Sequence, residues 1–141
     1  MTEKELINEA IEARKMSYAP YSKFKVGAAL LCKNGKVFRG CNIENAAYTP
    51  CNCAERTAFF KAISEGQKEF KAIAIVGGFD QKTFDEFCTP CGVCRQVMKE
   101  FCNDKEFEIY LGKQDGSIKK FKLIELFPMG FGPDNLYEGS E

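Results

Sequence analysis

At 141 residues the chain suits one domain, 1–141, long enough to bury a hydrophobic core without disulfide staples. Apolar residues make up 45% of it and charged residues 28%, which excludes disordered and fibrous classes. Twenty basic and twenty acidic side chains cancel, so the charge favours a small-molecule partner over nucleic acid or a membrane surface.

The opening MTEKELINEAIEARK is charged and lacks the apolar core of a signal peptide, and no apolar stretch reaches membrane-spanning length. A cytoplasmic protein is expected. Thr2 and Glu5 form a capping box, and Leu6, Ile7, Ala10, Ile11 and Ala13 keep helical spacing toward a break at Ala19-Pro20. Val26 to Leu31 is an apolar run, and Asn34-Gly35 followed by Val37 to Cys41 predicts a hairpin with a type I′ turn. Residues 42–52 read as an irregular loop, and Ala54 to Ser64 as a helix stopped at Gly66. Lys71 to Gly78 has the form of a central strand, followed by a long loop. Pro90 introduces a helix over Cys91 to Phe101. Phe107 to Leu111 and Ile118 to Leu123 flank Asp115-Gly116 as a second hairpin, and the PMGFGP tail is irregular. Together these elements predict an α/β fold, a mixed five-stranded sheet with helices on both faces.

Eight cysteines without an export signal should remain reduced, and the complete absence of histidine leaves Cys, Asp, Glu, Lys or Tyr to bind metal and move protons. Cys53, Cys91 and Cys94 all fall at helix starts. A C-x-x-C step lets two thiolates reach one ion, and a third from another helix start fixes three corners of a tetrahedron, with the fourth open for water. Partial positive charge at helix N-termini favours the thiolate form of all three. Glu55, two residues after the first ligand, is placed to act as general acid and base on a bound water. Three thiolates and zinc carry a formal charge of minus one, which Arg56 is placed to offset.

A C-x-x-C pair also occurs in closed zinc knuckles and redox sites, and single buried cysteines are ordinary core residues. Cys32, Cys41 and Cys102 fit that core pattern. Cys51 and Cys88 lie near the three ligands, so a closed four-thiolate structural site using either is the rival, a non-enzymatic zinc module mediating protein contacts. The Cys-Ala-Glu step favours catalysis, because a closed site has no use for a carboxylate two residues after a ligand.

Five segments carry a resemblance that runs nearly end to end: APYSKFKVGAAL (19–30), GCNIENAAY (40–48), CAERT (53–57), PCGVCRQ (90–96) and ELFPMGFGP (125–133). They resemble the homotetrameric zinc-dependent cytidine deaminases, a class with a P-C-x-x-C element and a non-ligand Glu as acid/base. The resemblance implies a three-layer α-β-α sandwich and one zinc per subunit on Cys53, Cys91 and Cys94. It also implies that Glu55 is catalytic and that Arg56 hydrogen-bonds the ligand thiolates. Asn42 and Glu44 would hold the sugar hydroxyls, Phe24 would pack on the pyrimidine ring, and Ala54 would contact the base through its backbone. Ala46, Tyr48 and Phe131 match positions that reach a neighbouring subunit's site. Two departures stand out: a thiol at Cys88, and Phe127, Met129 and Gly130 in place of the usual Leu-Pro-Gly-Ala-Phe tail.

The activity implied is hydrolytic deamination of cytidine and deoxycytidine to uridine and deoxyuridine in pyrimidine salvage. In that class zinc-bound hydroxide attacks C4 while the Glu protonates N3 and then assists ammonia departure. A deaminase acting on a cytosine-containing antibiotic would share the metal elements; Glu44, suited to sugar hydroxyls, favours the plain nucleoside. Polynucleotide editing is disfavoured by the neutral charge.

Overall fold

The computed structural model describes residues 1–79 and 84–137. Helix α1 (Glu3–Arg14) opens on the expected box: the Thr2 hydroxyl accepts from the Glu5 amide at 3.1 Å and the Thr2 amide donates to the Glu5 carboxylate at 2.8 Å. It ends well short of the Ala19-Pro20 break. Beyond Arg14 the backbone finds partners elsewhere: the Tyr18 amide donates to the Asn42 carbonyl and the Glu44 amide to the Tyr18 carbonyl, at 3.0 and 2.9 Å. Those tertiary bonds replace the helical ladder before proline is reached.

Five strands follow, β1 (Phe24–Cys32), β2 (Val37–Cys41), β3 (Phe70–Phe79), β4 (Glu108–Gly112) and β5 (Ile118–Lys122), in the sheet order β2-β1-β3-β4-β5. Pairing is antiparallel except between β3 and β4, so the sheet is mixed as expected. Neither hairpin uses a type I′ turn. Asn34 is not left-handed, as type I′ would require, whereas Gly35 has φ +93°, and its amide donates to the Cys32 carbonyl at 3.0 Å. Gly116, at φ +92°, repeats this with Lys113. Both are the longer glycine-bulged form, in which Asn34 and Asp115 accept from the amide two residues on.

Side chains alternate across the sheet and sort the core into two clusters. Ala29, Leu31, Ala72, Ala74 and Val76 face Leu6, Ile7 and Ala10 of α1. Leu30, Ile73, Ile75, Ile109 and Leu111 face the opposite layer, where Ala58, Phe59 and Ala62 come from α2 (Ala54–Ser64) and Met98 from α3 (Gly92–Phe101). The result is the three-layer α-β-α sandwich. Residues 80–83 of the long loop after β3 lie outside the described set. The PMGFGP tail is irregular as expected over residues 128–132, between a short helix α4 (Leu123–Leu126) and a 3-10 turn at Pro133–Asn135 that the sequence pattern does not predict. No helix among the described residues is long and apolar enough to cross a membrane.

Candidate metal centre and substrate cavity

Helices α2 and α3 begin side by side, and their first residues form the site. Cys53 caps α2, Cys91 caps α3, and Cys94 stands on the first turn of α3, its amide donating to the Cys91 sulfur at 3.4 Å. Cys91 Sγ lies 3.6 Å from Cys53 Sγ and 3.4 Å from Cys94 Sγ, and all three sulfurs fall within 4.8 Å of one another. Sulfurs on a tetrahedral zinc with bonds of about 2.3 Å stand about 3.8 Å apart, so the trio fits that ion. Neither Cys51 nor Cys88 belongs to the cluster. Cys51 is engaged in its own loop, where its sulfur accepts from the Asn45 amide at 3.1 Å.

Charge at the cluster is already arranged for a cation. Hydrogen bonding from Cys94 pulls the Cys53 thiol down to about 5 against the opposing effect of burial, and Arg56 assists, with Nη2 donating to Cys53 Sγ at 3.2 Å. Cys94 is pushed up by the same hydrogen bond, with burial adding to the rise. Arg56 Nε is buried without a hydrogen-bond partner among the described residues. Three soft thiol donors and an adjacent guanidinium suit zinc held by thiolates.

Glu55 is the buried charged residue among the described residues, 4% exposed. Burial pushes its carboxyl up to about 7, and the negative Cys53 adds to the rise. It shares a cavity of about 310 Å³ with Asn42, Glu44, Cys53, Ala54, Arg56 and Cys91. That volume lies at the small end of ligand pockets. Val26, Ile43, Cys51, Asn52, Cys88 and Thr89 also line it. Of these, the sequence marks Cys51 and Cys88 as rival ligands, and Cys88 also as a departure; the loop before Pro90 brings Cys88 there with Thr89.

The residues expected at the sugar are present and already engaged. The Asn42 amide donates to the Phe24 carbonyl at 2.8 Å, and its oxygen accepts from the Val26 amide at 2.9 Å and meets the Ser17 hydroxyl. Glu44 accepts from the Tyr21 and Ser22 amides at 2.9 and 3.1 Å and from the Ser22 hydroxyl. The Ser22 hydroxyl, followed by the two amides, holds the Glu44 carboxyl below its ordinary value. Phe24 does not line the cavity; its ring meets Phe79 edge-on at 5.1 Å. Ala46, Tyr48 and Phe131 also lie outside the lining of their own chain's cavity, and Tyr48 and Phe131 are exposed.

Two side chains without an expected role hold the tail against α3. Arg95 donates to the Pro90 and Leu126 carbonyls at 2.8 and 2.7 Å, and Gln96 donates to the Phe131 carbonyl at 2.8 Å. The altered tail also has a packing logic. A Cβ at Gly130 would come within 2.2 Å of the Phe127 ring, so the large ring at 127 requires the missing side chain at 130.

Comparison with known proteins agrees with this geometry. Residues 1–110 match the family model for the cytidine and deoxycytidylate deaminase zinc-binding region. A cytidine deaminase of Sporosarcina psychrophila is 46% identical over 141 residues, covering 100% of this chain and 99% of that protein. One from Halalkalibacterium halodurans is 50% identical over 131 residues, covering 93% and 95%. The crystal structure of a cytidine deaminase from Burkholderia pseudomallei superposes with a TM-score of 0.84 at 48% identity, covering 93% of this chain and all of that one. On sequence, fold and thiolate cluster together, the chain belongs to the family of zinc-binding cytidine and deoxycytidylate deaminases.

Proposed function

We propose that this chain, working as one domain, hydrolyses cytidine and deoxycytidine to uridine and deoxyuridine, with water entering at C4 and ammonia leaving. The observation that carries the reading is the buried Glu55 carboxylate sharing one small cavity with Cys53 and Cys91, two members of the three-thiolate cluster. Cys53, Cys91 and Cys94 would hold one zinc per chain. The ion supplies Lewis acidity that makes a water acidic enough to lose a proton near neutral pH.

Glu55 accepts that proton and delivers it to N3 as C4 becomes tetrahedral; it then takes the proton of the new C4 hydroxyl and passes it to the amino group, which leaves as ammonia while the C4 carbonyl forms. A carboxyl raised by burial to about 7 suits both directions of transfer at neutral pH. Arg56 offsets thiolate charge. Asn42 and Glu44 keep the polar end of the cavity in shape through their backbone bonds and offer their remaining acceptor and donor capacity to the sugar hydroxyls. Ala54 contacts the base through its backbone, and Phe24 packs on the ring after a modest rearrangement from Phe79.

The enzyme would serve pyrimidine salvage in the cytoplasm as a homotetramer, with Ala46, Tyr48 and Phe131 completing a neighbour's site. Exposure of Tyr48 and Phe131, both outside their own cavity, supports that assembly. Loss of cytidine absorbance on adding zinc-loaded protein tests the reaction. Glu55→Gln should reduce turnover by at least a hundredfold while metal content stays near one zinc per chain. Undiminished turnover in that variant would remove Glu55 from the mechanism.

A further inference from the structure

We propose that Cys88 sets the size of the group the cavity accepts on carbon 5 of the pyrimidine, the ring carbon beside the one that loses its amino group. This rests on the deaminase reading above. Deamination requires C4 to lie against Glu55 and the thiolate cluster, which fixes the two ring atoms bonded to C4 within the same end of the cavity. One is N3 and the other is C5. N3 and the amino group exchange protons and belong on the Glu55 side. The C5 edge carries only a C–H bond and is best matched by the apolar part of the lining, which Val26, Ile43 and Cys88 supply.

Cys88 is a firm part of that wall. It packs directly on the β3 backbone at Gly77, where even a Cβ would fall 2.7 Å from its sulfur and 3.2 Å from Val26 Cγ2. The absent side chain at Gly77 is therefore the space the thiol fills, with Val26 beside it. A larger group on C5 cannot push the sulfur back, because sheet backbone lies behind it and close-packed interiors yield little. A thiol is a small, weakly polar group in such a wall.

The test compares kcat/KM for 5-methylcytidine and cytidine within each variant, so that any general loss of activity or stability cancels in the ratio. Cys88→Ala should raise the ratio about tenfold, the discrimination a hydrophobic pocket gives for one methyl group. Cys88→Val, which adds bulk, should lower it. Ratios unchanged from wild type in both variants, with cytidine still turned over, would overturn the role of Cys88 alone. Wild-type zinc-loaded protein that deaminates neither nucleoside would overturn the deaminase reading itself.

Discussion

Glu55 and Arg56 are adjacent in the chain and meet opposite surroundings. Glu55 turns into the core, where burial raises its carboxyl, whereas Arg56 reaches back one turn of α2 to the Cys53 sulfur. The sequence carried this contrast because helix geometry places residue 56 over residue 53. Arg56→Gln should therefore weaken zinc binding by about tenfold, the usual effect of removing a partner of a metal ligand. Competition against a chromophoric chelator measures it; unchanged affinity would show that the guanidinium does not stabilise the thiolates. For Cys88, Cys88→Ser should keep a full complement of zinc by metal analysis, since the sulfur stands outside the ligand cluster. The partners of Asn42 and Glu44 were not legible in the same way. Both belong to residue types that bond turn backbone as readily as ligand, and here they bond the segment from Ser17 to Val26. The resemblance put both at the sugar, and the folded chain shows that the same side chains border the cavity while bonding local backbone.

Elements position the site through a close approach that their sequence patterns hide. At Gly40 in β2, an added Cβ would stand 2.3 Å from the Ala54 carbonyl oxygen and 2.5 Å from the Ala58 amide nitrogen. The first turn of α2, with Cys53, Glu55 and Arg56, therefore rests directly on the sheet. Gly40→Ala should lift that turn and cost about 1–3 kcal/mol of stability as overpacking. It should also weaken zinc binding, which a purely local defect in β2 would not; thermal denaturation with and without zinc separates the two effects. The elements legible from sequence were those with strong periodicity or flanking signals, notably α2 and β2, whose bounds match the structure. The end of α1 and the turn form depended on tertiary bonds and on backbone handedness, neither of which composition encodes. In the tail, Phe127 lies against Gly130, so Gly130→Ala should destabilise by a similar amount and Phe127→Leu should relieve it. Equal melting temperatures for the single and double variants would refute that coupling.

For the whole molecule, the cavity takes its chemistry from one chain and leaves several apolar side chains facing outward. Tyr48, Met129 and Phe131 are all exposed, and both Tyr48 and Met129 hold left-handed backbone, at φ +64° and +54°. Side chains of this kind on conformationally costly backbone are poor choices for a surface that meets only water. A shared site gives a test that does not depend on seeing the assembly. Glu55→Gln removes the proton carrier from a chain's own cavity, and Phe131→Ala removes what that chain would contribute to its neighbour's. Mixed after reversible dissociation, the two variants should form some sites with Glu55 from one chain and Phe131 from the other. Random assembly of equal amounts would restore about a quarter of the sites of a symmetric oligomer. Activity above the average of the separate variants, together with a sedimentation mass of four chains, is the expected result. An active monomer, or a mixture no better than that average, would confine each site to its own chain.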